Sequence, residues 1–169
     1  MIGIRIAALV AAVVGTGLVA GVFYAYAISV MPALRQTGDR VILDVMQRVN
    51  VVIVNPWFLA AFLGSVGFTG LAAALHLGSG QRAVLLWIAI GLALNVFAFA
   101  VTVALNVPLN TMLEAAGDVN SMADPAAVRA EYESPWVRWN VLRAVLHTAA
   151  FAVLCGALFV AGIRHAEHG

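Results

Sequence analysis

Lysine is absent from this 169-residue chain, and only 10% of its residues are charged. Every fixed cation is therefore an arginine. The formal net charge is +1 and no basic tract is present, so nucleic-acid binding is not expected. A single cysteine, Cys155, sits inside an apolar stretch, which excludes an intrachain disulfide and a thiolate metal cluster. It reads as a small hydrophobe. A polar exterior is missing too: 63% of residues are hydrophobic, and the mean hydropathy of +0.99 is that of a membrane protein. Strand-like alternation is lacking, so helices are the way for the backbone to satisfy itself in lipid.

What remains is four long apolar runs, each at or above the ~20 residues that cross a hydrocarbon core. The expected architecture is all-α: one integral membrane domain over 1–169, a bundle of four transmembrane helices. The spans are placed at about 6–34, 56–77, 83–108 and 139–163, with an amphipathic interfacial helix at about 39–54. A leader peptide could begin like the first run, but the apolar stretch continues to Leu34, which favours a span. The expected location is a multi-pass position in a bacterial inner or plasma membrane. The connector 78–82 is very short, whereas 35–50 and 114–138 are long and charged. In an up-down bundle the two long connectors share one membrane face. Arg35, Arg40, Arg48, Arg129 and Arg138 lie on that side, against Arg5, Arg82 and Arg164 on the other. This bias leans towards cytoplasmic long connectors and is too small to fix the orientation.

Local signals mark the ends of the helices. Asn55-Pro56 and Ser134-Pro135 each read as an N-cap followed by proline at the first helical position. Pro32 and Pro108 each disturb their own helix and are expected to kink it by freeing carbonyls one turn earlier. Both halves thus run helix, proline-marked exit, connector, Pro-Trp start, helix, as a duplicated helical hairpin would. Gly17 and Gly21 form a GxxxG, with Gly64, Gly67 and Gly70 on the second span. These faces suit close helix packing, within one chain or in a homo-oligomer.

Polar residues gather at the face of the long connectors. Asn106 and Asn110 share a helical face. Spacings of three and four put Trp136, Asn140, Arg143 and His147 on one stripe of the fourth span. Apart from His147 and Thr148, apolar residues follow Arg143 until Arg164. Such an arginine either snorkels to the headgroups or faces the bundle interior. In the interior its guanidinium could hold an anionic oxygen through paired hydrogen bonds. Trp57, Trp136 and Trp139, like Tyr24 and Tyr26, fit an interfacial belt and a ligand wall equally well. Asn95 in mid-span is expected to bond to a neighbouring helix. His76 and His147 lie at depths about 15–20 Å apart, and His165 and His168 sit at the far end. A metal or haem site is therefore not expected.

The combination Val30-Met31-Pro32, Asn55-Pro56-x-Phe58, Asn106-Val107-Pro108-Leu109-Asn110 and Trp136-x-x-Trp139-Asn140-x-x-Arg143 resembles the DUF1772 family, which includes anthrone oxygenase-like integral membrane proteins. The resemblance runs along nearly the whole chain. It implies a four-span protein and, in some members, oxidation of anthrones to anthraquinones. His147 lies outside the shared pattern.

Such a reaction fits these residues. A deprotonated anthrone is electron-rich enough to reduce O2 itself, so no cofactor is expected beyond O2 as co-substrate. The protein would supply a base, an oxyanion partner and a dry apolar pocket. Arg143, His147 and Asn140 are the catalytic candidates. Asn55, Trp57, Asn106, Asn110, Trp136 and Trp139 are the candidates for binding a flat lipophilic aromatic ligand. The base is open between His147, Asp44 and Asp39. The alternative is a non-catalytic membrane protein that binds or transports a small molecule, or an interaction subunit. The few polar residues towards the far side favour a dead-end pocket over a conduit.

Overall fold

The computed structural model describes residues 2–78 and 80–166, and over these the chain is helices and short turns. The elements are α1 (Ile2–Ala25), α2 (Met31–Arg35), α3 (Asp39–Val52), α4 (Pro56–Leu75), α5 (Arg82–Val101), α6 (Val107–Ala115) and α7 (Pro125–Ala166). Four stretches are long and apolar enough to cross a membrane: Gly3–Leu34, Pro56–Leu75, Arg82–Ala115 and Pro125–Arg164. The protein is a four-span helical bundle. In it α1 packs on α4 and α7, and α5 on α7, while α4 and α5 touch less.

The prolines do not break their spans. Tyr26–Val30 and Thr102–Asn106 are single π-helical turns, and Pro32 and Pro108 follow each at the same distance. A proline lacks its amide and crowds the carbonyl four residues back. Widening the turn lets later amides reach back five residues, as the Met31 amide does to the Tyr26 carbonyl and Val107 to Thr102. Before each proline a π turn forms, and its five-residue bonds keep backbone groups paired where water is scarce. Both halves use the same device.

Asn55 caps α4 as its sequence suggests, its Oδ1 accepting from the amides of Trp57 and Phe58 at 3.1 and 3.0 Å. Ser134-Pro135 corrects the other expectation. No helix starts there; α7 is continuous from Pro125, with Pro135 inside it. The cap is Asp124, whose carboxylate accepts from the Ala127 amide at 3.0 Å. The helix begins in the charged segment that hydropathy assigns to the connector, then enters the apolar layer.

The two connectors fold into a cap over that membrane face. Ile42, Leu43 and Met46 of α3 are fully buried against Met31, Leu113, Val119, Met122, Tyr132 and Trp136. Arg40 donates to the carbonyls of Val119 and Met122, and Gln47 to those of Leu113 and Gly117. Arg129 donates to Asp39, Glu133 and the carbonyls of Arg35 and Thr37 at 2.6–3.0 Å.

Glycine packing is partly as expected. Gly17 leaves room for the Phe151 ring, which a Cβ would meet at 2.9 Å, while Gly21, Gly67 and Gly70 face nothing within 4 Å. Two further close approaches lie outside that motif, where Gly91 admits Leu154 and Gly156 admits Trp87. At the far side Arg5 bonds the Leu75 carbonyl. His168, and the side chain of His165, lie outside the described residues.

Candidate functional site

The stripe on α7 faces inward. Trp136, Asn140, Arg143 and His147 are all buried, each about a turn apart along a rise of 1.5 Å per residue. Arg143 is 7% exposed, so it does not snorkel. Its Nε and Nη2 donate to Asn140 Oδ1 at 3.2 and 3.1 Å. Asn140 is held in turn by donating to the Phe23 carbonyl at 3.1 Å. The Arg143 Cζ lies 3.9 Å from the Phe23 ring centroid and 5.4 Å from that of Trp136. Tyr26 and Tyr132 are within its electrostatic reach. Among the described residues no carboxylate pairs with it, and Nη1 has no hydrogen-bond partner.

The remaining candidates divide. Asn106 is fully buried and donates to the Trp136 carbonyl at 3.3 Å. Asn110 accepts from Trp136 Nε1 at 2.8 Å, fixing the indole that Arg143 overlies. Asn55 spends its oxygen on the α4 cap and its amide on the Val52 carbonyl at 2.9 Å. Trp57 is 87% exposed on the first turn of α4. It does not stack in the Arg143 cluster, because the rotation of α4 turns it to the membrane side. Trp139 is half-buried and makes no ring or hydrogen-bond contact with the cluster. Its place is taken by phenylalanines, of which the sequence motifs had marked only Phe58. Phe58 and Phe62 stack at 5.4 Å, Phe62 and Phe99 at 5.0 Å, and Phe23 sits edge-on to Phe58 and Phe62.

Deeper in the bundle, His147 Nδ1 lies 3.0 Å from Asn95 Oδ1. Asn95 Nδ2 bonds Thr16 Oγ1, the Ser65 carbonyl and Thr69 Oγ1 at 3.0, 3.2 and 3.3 Å. Asn95 therefore links all four spans, as its mid-span position suggests. Ser65 and Thr69, four apart within an apolar helix, were the available signal for the rest of this network. Asp39 and Asp44 are engaged with Arg129 and Arg48 in the cap. His76 bonds the Ala72 carbonyl at 2.7 Å, and no cluster of three potential metal ligands exists among the described residues.

Buried polar atoms without partners are few in native proteins. Here they are Asn106 Oδ1 and His147 Nε2 among the described residues, whereas Asn50 Nδ2 and Tyr132 Oη fall short of ideal hydrogen-bond geometry but interact with each other. Tyr132 and His147 interact electrostatically with Arg143, and Asn106 is bonded to the Trp136 beneath it. An open cavity of about 290 Å³ lies between the first π turn and α3. It is lined by Tyr26, Val45, Arg48, Val49, Val52, Ile53 and Asn55. Tyr26 also packs on Trp136 at 5.9 Å, which joins the wall of this groove to the indole that Arg143 overlies.

The class these features define is a multi-pass helical membrane protein with a buried arginine–asparagine–histidine cluster under an apolar cap. Comparison with protein families gives a match to the anthrone oxygenase family over residues 55–153, more than half of the chain, and the protein belongs to that family. No curated protein and no solved structure matches it.

Proposed function

We propose that the protein is a membrane-embedded oxygenase that converts an anthrone-like, flat lipophilic aromatic to its quinone with O2. The observation that carries this reading is Arg143, a buried guanidinium with no carboxylate beside it. Burying a cation costs several kcal/mol unless it is paired. An arginine kept there suits a site whose anion arrives with the substrate. The family match supports an oxygenase-type activity.

In this reaction a base removes one proton from the methylene carbon of the anthrone. The charge moves to the ketone oxygen, which Arg143 receives through Nη1 while Asn140 holds the guanidinium. The anion passes one electron to O2, and the carbon radical and superoxide combine to a peroxide. Loss of the second methylene proton breaks the O–O bond, giving the new carbonyl and, with the first proton, water. The balance is anthrone plus O2 to anthraquinone plus water. The substrate is the reductant, so neither metal nor flavin is required. His147 Nε2 is the base we assign, since Asp39 and Asp44 are occupied in the cap. Phe23, Trp136 and the Phe58–Phe62–Phe99 ladder supply aromatic faces for the rings. The groove beside Tyr26 is the access route from the membrane interface.

Oxygen uptake with a simple anthrone, measured on the purified protein, tests the proposal. Uptake above autoxidation that falls about 10²-fold or more in Arg143→Ala is expected. Uptake indifferent to Arg143 in a protein that still inserts would remove this site. In that case a non-catalytic binding role becomes the better reading.

A further inference from the structure

The two nitrogens of His147 have different surroundings, and Asn95 is the cause. The Ser65 carbonyl can only accept, so the Asn95 atom 3.2 Å from it is the amide nitrogen. Thr69 supports that orientation, because its own hydroxyl donates to the Ser65 carbonyl and leaves its oxygen free to accept from Asn95. With the amide nitrogen turned towards α1 and α4, Asn95 Oδ1 is the atom that meets His147 Nδ1 at 3.0 Å. An amide oxygen only accepts, so Nδ1 must carry the proton. In the neutral ring Nε2 is then a bare lone pair, and it is fully buried with no partner among the described residues.

We infer that Asn95 is a positioning residue, which with Thr16, Ser65 and Thr69 locks His147 in the Nδ1–H tautomer and thereby presents Nε2 as an acceptor. This deepens the oxygenase reading and rests on it for the role of His147 as base. The wrong tautomer would place a proton where the substrate proton must go. Plain helix-to-helix bonding, the common role of an asparagine in a membrane span, would give the same tautomer but no fall in kcat at constant KM, and that split separates the two readings.

The test is nitrogen NMR of the full chain labelled with 15N-histidine in detergent, with the His147 signals assigned from His147→Gln. The wild type is expected to show a protonated Nδ1 and an unprotonated Nε2. Asn95→Leu is expected to release the ring towards the Nε2–H tautomer, and to lower kcat for anthrone oxidation about 10²-fold with KM nearly unchanged. Asn95→Asp, which keeps an acceptor oxygen, should retain Nδ1–H. A wild-type ring protonated on Nε2 would overturn the inference even if neither variant inserts. So would an unchanged tautomer in Asn95→Leu. Spectra that behave as expected in a protein without anthrone oxidation would support the tautomer lock while removing the oxygenase reading.

Discussion

Two arginines on the same helix, Arg129 and Arg143, have opposite surroundings. Arg129 lies in the cap and is saturated, with two carboxylates and two backbone carbonyls around it. Arg143 is more deeply buried and has one amide oxygen and two aromatic faces. The first arrangement closes a charge network at the water-facing end of α7. The second leaves a cation whose complement is unfilled by the protein. On the proposed function, Arg129 builds structure and is paired, whereas Arg143 awaits a ligand and is not. That contrast, more than burial alone, separates the cap from the proposed site.

The strongest way to break this comparison is to remove each arginine without changing its bulk. Arg143→Met should abolish nearly all anthrone oxidation, by about 10²-fold or more, and yet raise the thermal midpoint, because an unpaired buried charge is replaced by an apolar side chain. A lower midpoint measured by detergent-phase unfolding would show that Arg143 is structural. Arg129→Met should do the reverse, costing about 1–2 kcal/mol of stability while leaving uptake within a few-fold of wild type. Equal losses of activity in both variants would erase the distinction.

A smaller effect sharpens the comparison from the ligand side. An anionic aromatic that cannot be oxidised, such as a hydroxyanthraquinone above its phenol pKa, should raise the wild-type unfolding midpoint and leave that of Arg143→Met unmoved. Equal shifts would mean that the anion binds elsewhere. The tryptophans give the smallest pair. Trp136→Phe removes the bond to Asn110 and should cost about 1 kcal/mol, read as a fall in the unfolding midpoint. Trp57→Ala, on the outer face of α4, should stay within about 0.5 kcal/mol of wild type. A loss of activity in Trp57→Ala would restore the ligand role that its exposure argues against.

Much of this architecture was legible in the chain. Spans follow from unbroken apolar runs, and the inward stripe of α7 follows from spacings of three and four. The Asn55-Pro56 cap needed only its own dipeptide. Ser134-Pro135 carries the same signal and failed, because the charged turns from Pro125 onwards are packed against α3 and stay helical, so that Pro135 falls inside α7. Trp57 and Trp136 look alike in sequence, yet one lies outside the bundle and the other beneath Arg143. The difference is the rotation of each helix about its own axis, set by contacts with its neighbours.

The sequence by itself determined that this is a membrane protein of four helical spans, with most of its polar residues gathered towards one face. Hydropathy, proline position and helical period are local properties, and they do not depend on partners. Only the tertiary structure decided which polar groups meet. Asn95 of α5, Thr16 of α1, Ser65 and Thr69 of α4, and His147 of α7 converge through hydrogen bonds between segments far apart in the chain. It also decided that Arg143 turns inward onto Phe23 and Asn140 and away from any carboxylate. Such choices come from packing four helices at once, which no single stretch of sequence specifies.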